Sequence, residues 1–328
     1  VATSHQHRRW IAACGVAAVL VLATACASTS PDSTDAAPAT TTVVPTTTST
    51  TIPDGGYEVV THTENLVDTS RPTEALEGTG VAAGDERTLA TTFTFPDAPG
   101  PFPLIAFAHG NAGHPRKFTQ LFEAWAAAGF VVVAPAFPLS NDEIPGITSV
   151  YDLPNQPGDM TFAISSALRM SGEPENFLQG KVNPEEIGVG GLSLGGATTF
   201  MVAFDDCCRD RRVDAVIVMD GFHPDFSGMD LTVGIPLLII HADGDPVLDY
   251  SQATEAFAAA ATPKYLVTLH EVVHATPYEN DPDPADQLVT DTTTAFWRLH
   301  LAHDAGAATD LSTSARVDGL STVVEQPG

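Results

Sequence analysis

Residues 187–196 read Ile-Gly-Val-Gly-Gly-Leu-Ser-Leu-Gly-Gly, and no other stretch constrains the chain so tightly. The segment opens apolar and β-prone, then turns small and glycine-rich. Residues 197–204, Ala-Thr-Thr-Phe-Met-Val-Ala-Phe, follow with the profile of a helix. Gly191-Leu-Ser-Leu-Gly195 therefore fits a strand–turn–helix in which Ser193 occupies a sharp bend, the Gly-x-Ser-x-Gly nucleophile elbow. A side chain two residues to either side of the serine would collide with the neighbouring strand or helix. The same turn lifts the hydroxyl clear of the backbone and aims the first amides of the helix at a reacting carbonyl.

The chain has 328 residues, 43% hydrophobic, enough for one sizeable core of roughly 250 residues plus appendages. Its formal net charge of −27 argues against nucleic acid and against electrostatic adsorption to anionic lipid.

Residues 1–26 have the plan of an export signal. His7, Arg8 and Arg9 make a basic start, residues 11–25 are apolar but too short for a span, and Ala23-Thr-Ala25 precedes Cys26. Ala-Thr-Ala satisfies the small-residue cleavage rule and resembles a bacterial lipobox, with Cys26 as the lipidated residue; plain cleavage near Ala27 is the alternative. Residues 27–56, rich in Thr, Ser, Pro and Ala, bury too little apolar surface to offset their ordering entropy and read as an extended spacer. Residues 57–328 form the folded domain, giving a cell-envelope lipoprotein or otherwise a secreted protein.

Within that domain the pattern predicts two antiparallel edge strands at 57–62 and 88–95. Buried strands follow at 103–109, 130–134, 187–192, 213–219, 236–241 and 265–269, and helices at 117–128, 158–170, 197–204, 251–261 and 286–303. This alternation predicts a mostly parallel sheet with helices on both faces. Active groups in such sheets gather at the carboxyl ends of the strands.

Three strand ends carry polar residues besides the elbow. After 103–109 comes His109-Gly110-Asn111, where glycine permits close approach and the Asn111 amide can pair with that of Leu194 as two oxyanion donors. After 236–241 comes Ala242-Asp243-Gly244-Asp245, with Asp245 chosen as the carboxylate that orients a histidine and Asp243 as the fallback. After 265–269 comes His270-Glu271-Val272-Val273-His274, with His274 as general base. The order Ser193, Asp245, His274 is that of one class of serine hydrolase and differs from the other serine triads.

Residues 107–110 (Phe-Ala-His-Gly), 128–135 (Ala-Gly-Phe-Val-Val-Val-Ala-Pro), 158–163, 187–196, 244–247 (Gly-Asp-Pro-Val) and 294–297 (Thr-Ala-Phe-Trp) carry a family likeness. Over residues 100–305 the chain resembles bacterial α/β-hydrolases of the predicted dienelactone hydrolase group, related to platelet-activating-factor acetylhydrolase and cutinase-like polyester hydrolases. The resemblance implies an α/β-hydrolase fold and a serine esterase that works through an acyl-enzyme, without metal or organic cofactor. Dienelactone hydrolases use a cysteine where this chain has Ser193. Polyester hydrolases place an aromatic residue in the oxyanion turn where this chain has Asn111. Neither narrow substrate carries over.

Only residues 220–235, with Gly221, Pro224, Gly228 and Gly234, separate the strand after the elbow unit from the next one. Such a loop cannot build a large cap domain. The expected cleft is open, lined by Gly110, His114, Phe222, His223 and Phe226, and suits small-molecule or polymeric esters. A serine peptidase or amidase of the same fold and a non-catalytic binding protein are the rival readings, and a monomer is expected. Cys207 and Cys208 are adjacent and, in an exported chain, able to form a vicinal disulfide.

Overall fold

The computed structural model describes Pro53 and residues 55–224, 228–280 and 282–328. The expected signal, Cys26 and nearly all of the spacer lie outside the described residues, as does Phe226.

Nine strands form one sheet: β1 (Val59–Asp68), β2 (Arg87–Pro96), β3 (Phe102–Ala108), β4 (Val131–Ala136), β5 (Val182–Leu192), β6 (Ala215–Met219), β7 (Leu237–Ala242), β8 (Lys264–Leu269) and β9 (Ser321–Gln326). Their spatial order is β1-β2-β4-β3-β5-β6-β7-β8-β9. The block from β4 to β8 is parallel; β1, β2 and β9 join antiparallel. The helices are α1 (Thr119–Ala127), α2 (Gln156–Gly172), α3 (Leu194–Phe204), α4 (Ser251–Ala259), α5 (Asp286–His300) and α6 (Ala307–Ser314).

Period-two alternation divides the core. Leu104, Ala106 and Ala108 of β3 face one layer with Ile164 of α2, Phe200 of α3 and Ala256 of α4. Ile105 and Phe107 face the other, with Phe122 and Trp125 of α1, Phe296 and Trp297 of α5 and Leu311 of α6. All of these side chains are essentially buried. Arg87, buried at the start of β2, bonds Asp159 of α2 at 2.7 Å through Nε and Asp152 at 2.5 Å, and so ties the segment after β4 to the sheet.

Two sequence expectations are corrected. The strand at 88–95 is not an edge: β2 pairs with β1 on one side and β4 on the other. Thr91 and Thr94 within it are buried, and the Thr91 hydroxyl donates to Leu89 O at 3.0 Å. The second is the tail: α6 and β9 went unpredicted. In β9, an edge strand paired only with β8, the burial pattern alternates weakly along Ser-Thr-Val-Val-Glu-Gln, and Ser312 of α6 and Arg316 bond its Glu325.

The expected absence of a cap agrees with the loop between β6 and β7. Among its described residues there is no α-helix and no strand of the sheet, only a 3-10 position at Gly228 and an isolated bridge between Met229 and Asp205.

Candidate active site

From β3 the chain steps to β4 on one side and then to β5 on the other. A crevice opens at such a reversal, outside the carboxyl ends of the strands. The oxyanion turn follows β3 and the elbow follows β5.

At the elbow Ser193 takes φ 56° and ψ −116°, a left-handed backbone that L-residues adopt only at a cost of roughly 1–3 kcal/mol. Neighbours on both sides hold it there. A Cβ on Gly191 would meet Gly195 O at 2.4 Å, and one on Gly195 would meet Ala108 O of β3 at 2.0 Å. Glycine at these two positions is a steric requirement, as the sequence motif implied. Ser193 N donates to Met219 O at 2.9 Å, which fastens the bend to the end of β6.

The oxyanion turn packs on this bend. A Cβ on Gly110 would lie 3.2 Å from Ser193 Cβ. His109 shapes the turn from beneath and is fully buried. Its Nε2 accepts from Phe137 N at 3.0 Å, so Nδ1 must carry the proton and donate to Gly110 O at 2.7 Å. Burial pushes its pKa down to about 4, and the ring stays neutral. The Ala112 and Gly113 amides are taken up by Ser140 O and Gly110 O. Among the described residues the Asn111 amide donates to none. Leu194 is the first residue of α3, where amides lack intrahelical acceptors. Leu194 directly follows the serine, and Asn111 directly follows Gly110, which packs on it.

The carboxylate and the histidine meet directly. His274 Nδ1 and Asp245 Oδ2 are 2.6 Å apart; the Asp245 carboxylate is buried and the imidazole is 13% exposed. Asp245 Oδ1 accepts from Val247 N at 2.7 Å and Leu248 N at 3.1 Å, which fixes the carboxylate's rotation. Asp243, the fallback, is engaged elsewhere: it bonds His270 at 2.6 Å in a separate, exposed pair.

Sequence reading missed Asp220. It follows β6 directly, is fully buried, and its Oδ2 lies 3.9 Å from His274 Nδ1. Ala242 N donates to its Oδ1 at 2.8 Å. Burial, then the nearby Asp245 charge, raise its pKa to about 7. His241, also buried, stands between the two carboxylates at 3.8–3.9 Å and is pushed towards the neutral form by burial. An acid directly after a buried strand was the available signal; its place at the head of a glycine-rich loop disguised it.

Of the expected cleft residues, Gly110 lies against Ser193 as above. His114 caps the turn before α1, accepting from Arg116 N at 3.2 Å. Phe222 and His223 are half-buried, and His223 N bonds Gln252 of α4 at 3.3 Å. Asp220, Asp245 and His274 bring ligand atoms within 4.8 Å of one another, yet a shared cation there would have to displace the proton between His274 and Asp245.

A parallel block of strands, a serine elbow after β5 and a histidine–carboxylate pair after β8 and β7 decide the architecture. This is the α/β-hydrolase fold. The family model described as Chlorophyllase matches residues 85–230 of the chain, a span that includes the turn at Gly110 and Asn111, Ser193 and Asp220 and ends before Asp245 and His274. The match supports an ester hydrolase of the α/β-hydrolase type. No curated protein matches the chain.

Proposed function

We propose that this hydrolase is an exported serine carboxylic-ester hydrolase, acting through Ser193, His274 and Asp245. The observation that carries the reading is the 2.6 Å bond between His274 and a buried Asp245 on the same sheet edge as a left-handed Ser193. Asp245 holds the His274 tautomer with its proton on Nδ1, leaving Nε2 as the base. Nε2 takes the Ser193 proton as Oγ attacks the ester carbonyl. The amides of Asn111 and Leu194 receive the oxyanion; loss of one such donor typically costs about 3 kcal/mol of barrier. The proton then passes from His274 to the departing alcohol, and His274 activates water to release the acid.

The substrates are short-chain or accessible bulky esters. A cap-free loop after β6 leaves little wall to bury a long acyl chain, at about 0.8 kcal/mol per methylene. Exposed Ile147, Tyr151, Val247 and Val273 stand on connections that leave the carboxyl ends of β4, β7 and β8, where a bulky ester can rest at the rim. A panel of p-nitrophenyl esters of increasing chain length tests both halves. Acetyl to hexanoyl esters should be preferred, with no jump at the critical micelle concentration and no turnover by Ser193→Ala. A kcat/KM still climbing beyond twelve carbons would contradict the open cleft.

Export rests on the basic, apolar and small-residue plan of residues 1–26. The vicinal Cys207–Cys208 disulfide fits an oxidising compartment. Full-length protein should partition with membranes, and Cys26→Ser should release it; a mature N-terminus without lipid contradicts the anchor.

A further inference from the structure

Six residues beyond His274, Asn280 crosses from the histidine loop to the segment that carries the oxyanion turn into α1. Its main-chain N–H donates to Lys117 O at 2.7 Å. Its side-chain amide donates to Arg116 O and to Thr119 Oγ1, both at 2.9 Å, and its Oδ1 accepts from Gln120 N at 3.2 Å. One residue thus makes four hydrogen bonds to a stretch more than 150 positions away. Lys117 completes the crossing. Its Nζ donates to Ala112 O at 3.1 Å, next to Asn111, and lies 3.7 Å from Glu279 and 3.8 Å from Asp142. Ala112 has φ 57°, so the carbonyl that Lys117 holds belongs to the strained residue of the turn.

The histidine loop can transmit such a tie because it is cross-linked within itself. Thr276 Oγ1 donates to Asp283 Oδ2 at 3.0 Å, Asp283 N donates to Asp286 Oδ2 at 2.9 Å, and Tyr278 is buried beneath.

We propose that Lys117 and Asn280 are positioning residues that lock the oxyanion turn to the histidine loop. They fix where the Asn111 amide stands relative to His274. This rests on the reading of Ser193, His274 and Asn111 given above. Oxyanion donors act only when they meet the position the oxygen will occupy, and a shift of about 1 Å can cost 10²-fold in rate. Loss of the tie therefore acts on the transition state, with ground-state binding largely kept. A cavity of about 300 Å³, lined by Arg116, Lys117, Glu279 and Asn280, adjoins the crossing. Water can enter where the side chain is cut back, so truncation here loosens the tie without opening the core.

The test compares wild type with Asn280→Ala, Asn280→Asp, Lys117→Met and the Asn280→Ala/Lys117→Met pair on a p-nitrophenyl butyrate assay. The second readout is inhibition by an aryl trifluoromethyl ketone, which takes Ser193 Oγ onto its carbonyl carbon as the serine proton passes to His274 Nε2, turning the carbonyl oxygen into an oxyanion. Asn280→Ala should lower kcat about 10- to 100-fold, leave KM within about threefold, and raise the ketone's Ki in proportion to the lost kcat/KM. Asn280→Asp, which keeps the acceptor for Gln120 and loses both donors, should fall between. The pair should be no worse than about the poorer single variant, since both cut one tie. Unchanged kcat, a lowered kcat with an unmoved Ki, or strictly additive losses would overturn the proposal. The serine reading fails separately, if Ser193→Ala keeps the activity, whatever the Asn280 variants do.

Discussion

Asp245 Oδ2 stands 2.6 Å from His274 Nδ1, while the equally buried Asp220 presents its nearest oxygen to the same nitrogen at 3.9 Å. Two carboxylates therefore face one imidazole, and distance assigns their parts. Only Asp245 is within hydrogen-bond range. Its other oxygen is held by two backbone amides, whereas Asp220 is pushed up to about 7 and shares the proton economy of the pocket.

The kinetic consequence separates the two acids. Asp245→Asn should lower kcat by about 10³- to 10⁴-fold, because the amide favours the wrong imidazole tautomer. Asp220→Asn should cost about tenfold or less. Steady-state kinetics on folded variants decides it; the reverse ranking would move the orienting role to Asp220.

The pH dependence of stability has opposite signs at two buried groups. Asp220 keeps its proton in the native state up to about 7, against an ordinary 3.8 when unfolded, so its ionisation lowers stability as pH rises between these values. His109 refuses a proton until about 4, against 6.5 when unfolded, so its contribution is present above 6.5 and is lost as pH falls towards 4. Each shift amounts to at most about 4 kcal/mol. Thermal melts should show Asp220→Asn gaining on wild type from pH 4 to 7. The gap between wild type and His109→Asn should narrow from pH 6.5 to 4. A pH-independent difference in either case contradicts that assignment.

Two glycines close to the site should behave unlike one another. Gly195→Ala drives a methyl to 2.0 Å from Ala108 O and should cost several kcal/mol or abolish folding. Gly244→Ala, beside Asp245, meets nothing within 4 Å and should leave the melting temperature within a few degrees. Chemical denaturation of the pair checks the elbow's packing independently of activity.

How much was legible in the sequence follows from what each residue's signal depends on. Ser193, Asp245 and His274 each follow a run of β-prone apolar residues, and a parallel block puts such positions on one edge whatever the details of packing. Asp220 sits at an equivalent strand end, but its meaning lies in a burial that no local pattern announces. The His109 tautomer depends on Phe137 N, 28 residues away, and the Asn280 tie on partners at more than 150. β2 is interior because β4, a later segment of the chain, pairs with it opposite β1, and its own β-prone run does not announce that partner. The match over residues 85–230 stops short of the histidine–carboxylate pair, so that half of the site stands on geometry alone.

The central claim is a covalent acyl-enzyme on Ser193, and trapping tests it most directly. The purified protein is treated with an aryl fluorophosphonate, digested and mapped by mass spectrometry. A single phosphonyl adduct should appear on Ser193, form in step with loss of esterase activity, and be absent from Ser193→Ala and strongly slowed in His274→Ala. Full inactivation with the adduct on another residue, or undiminished ester hydrolysis by Ser193→Ala, would contradict the account.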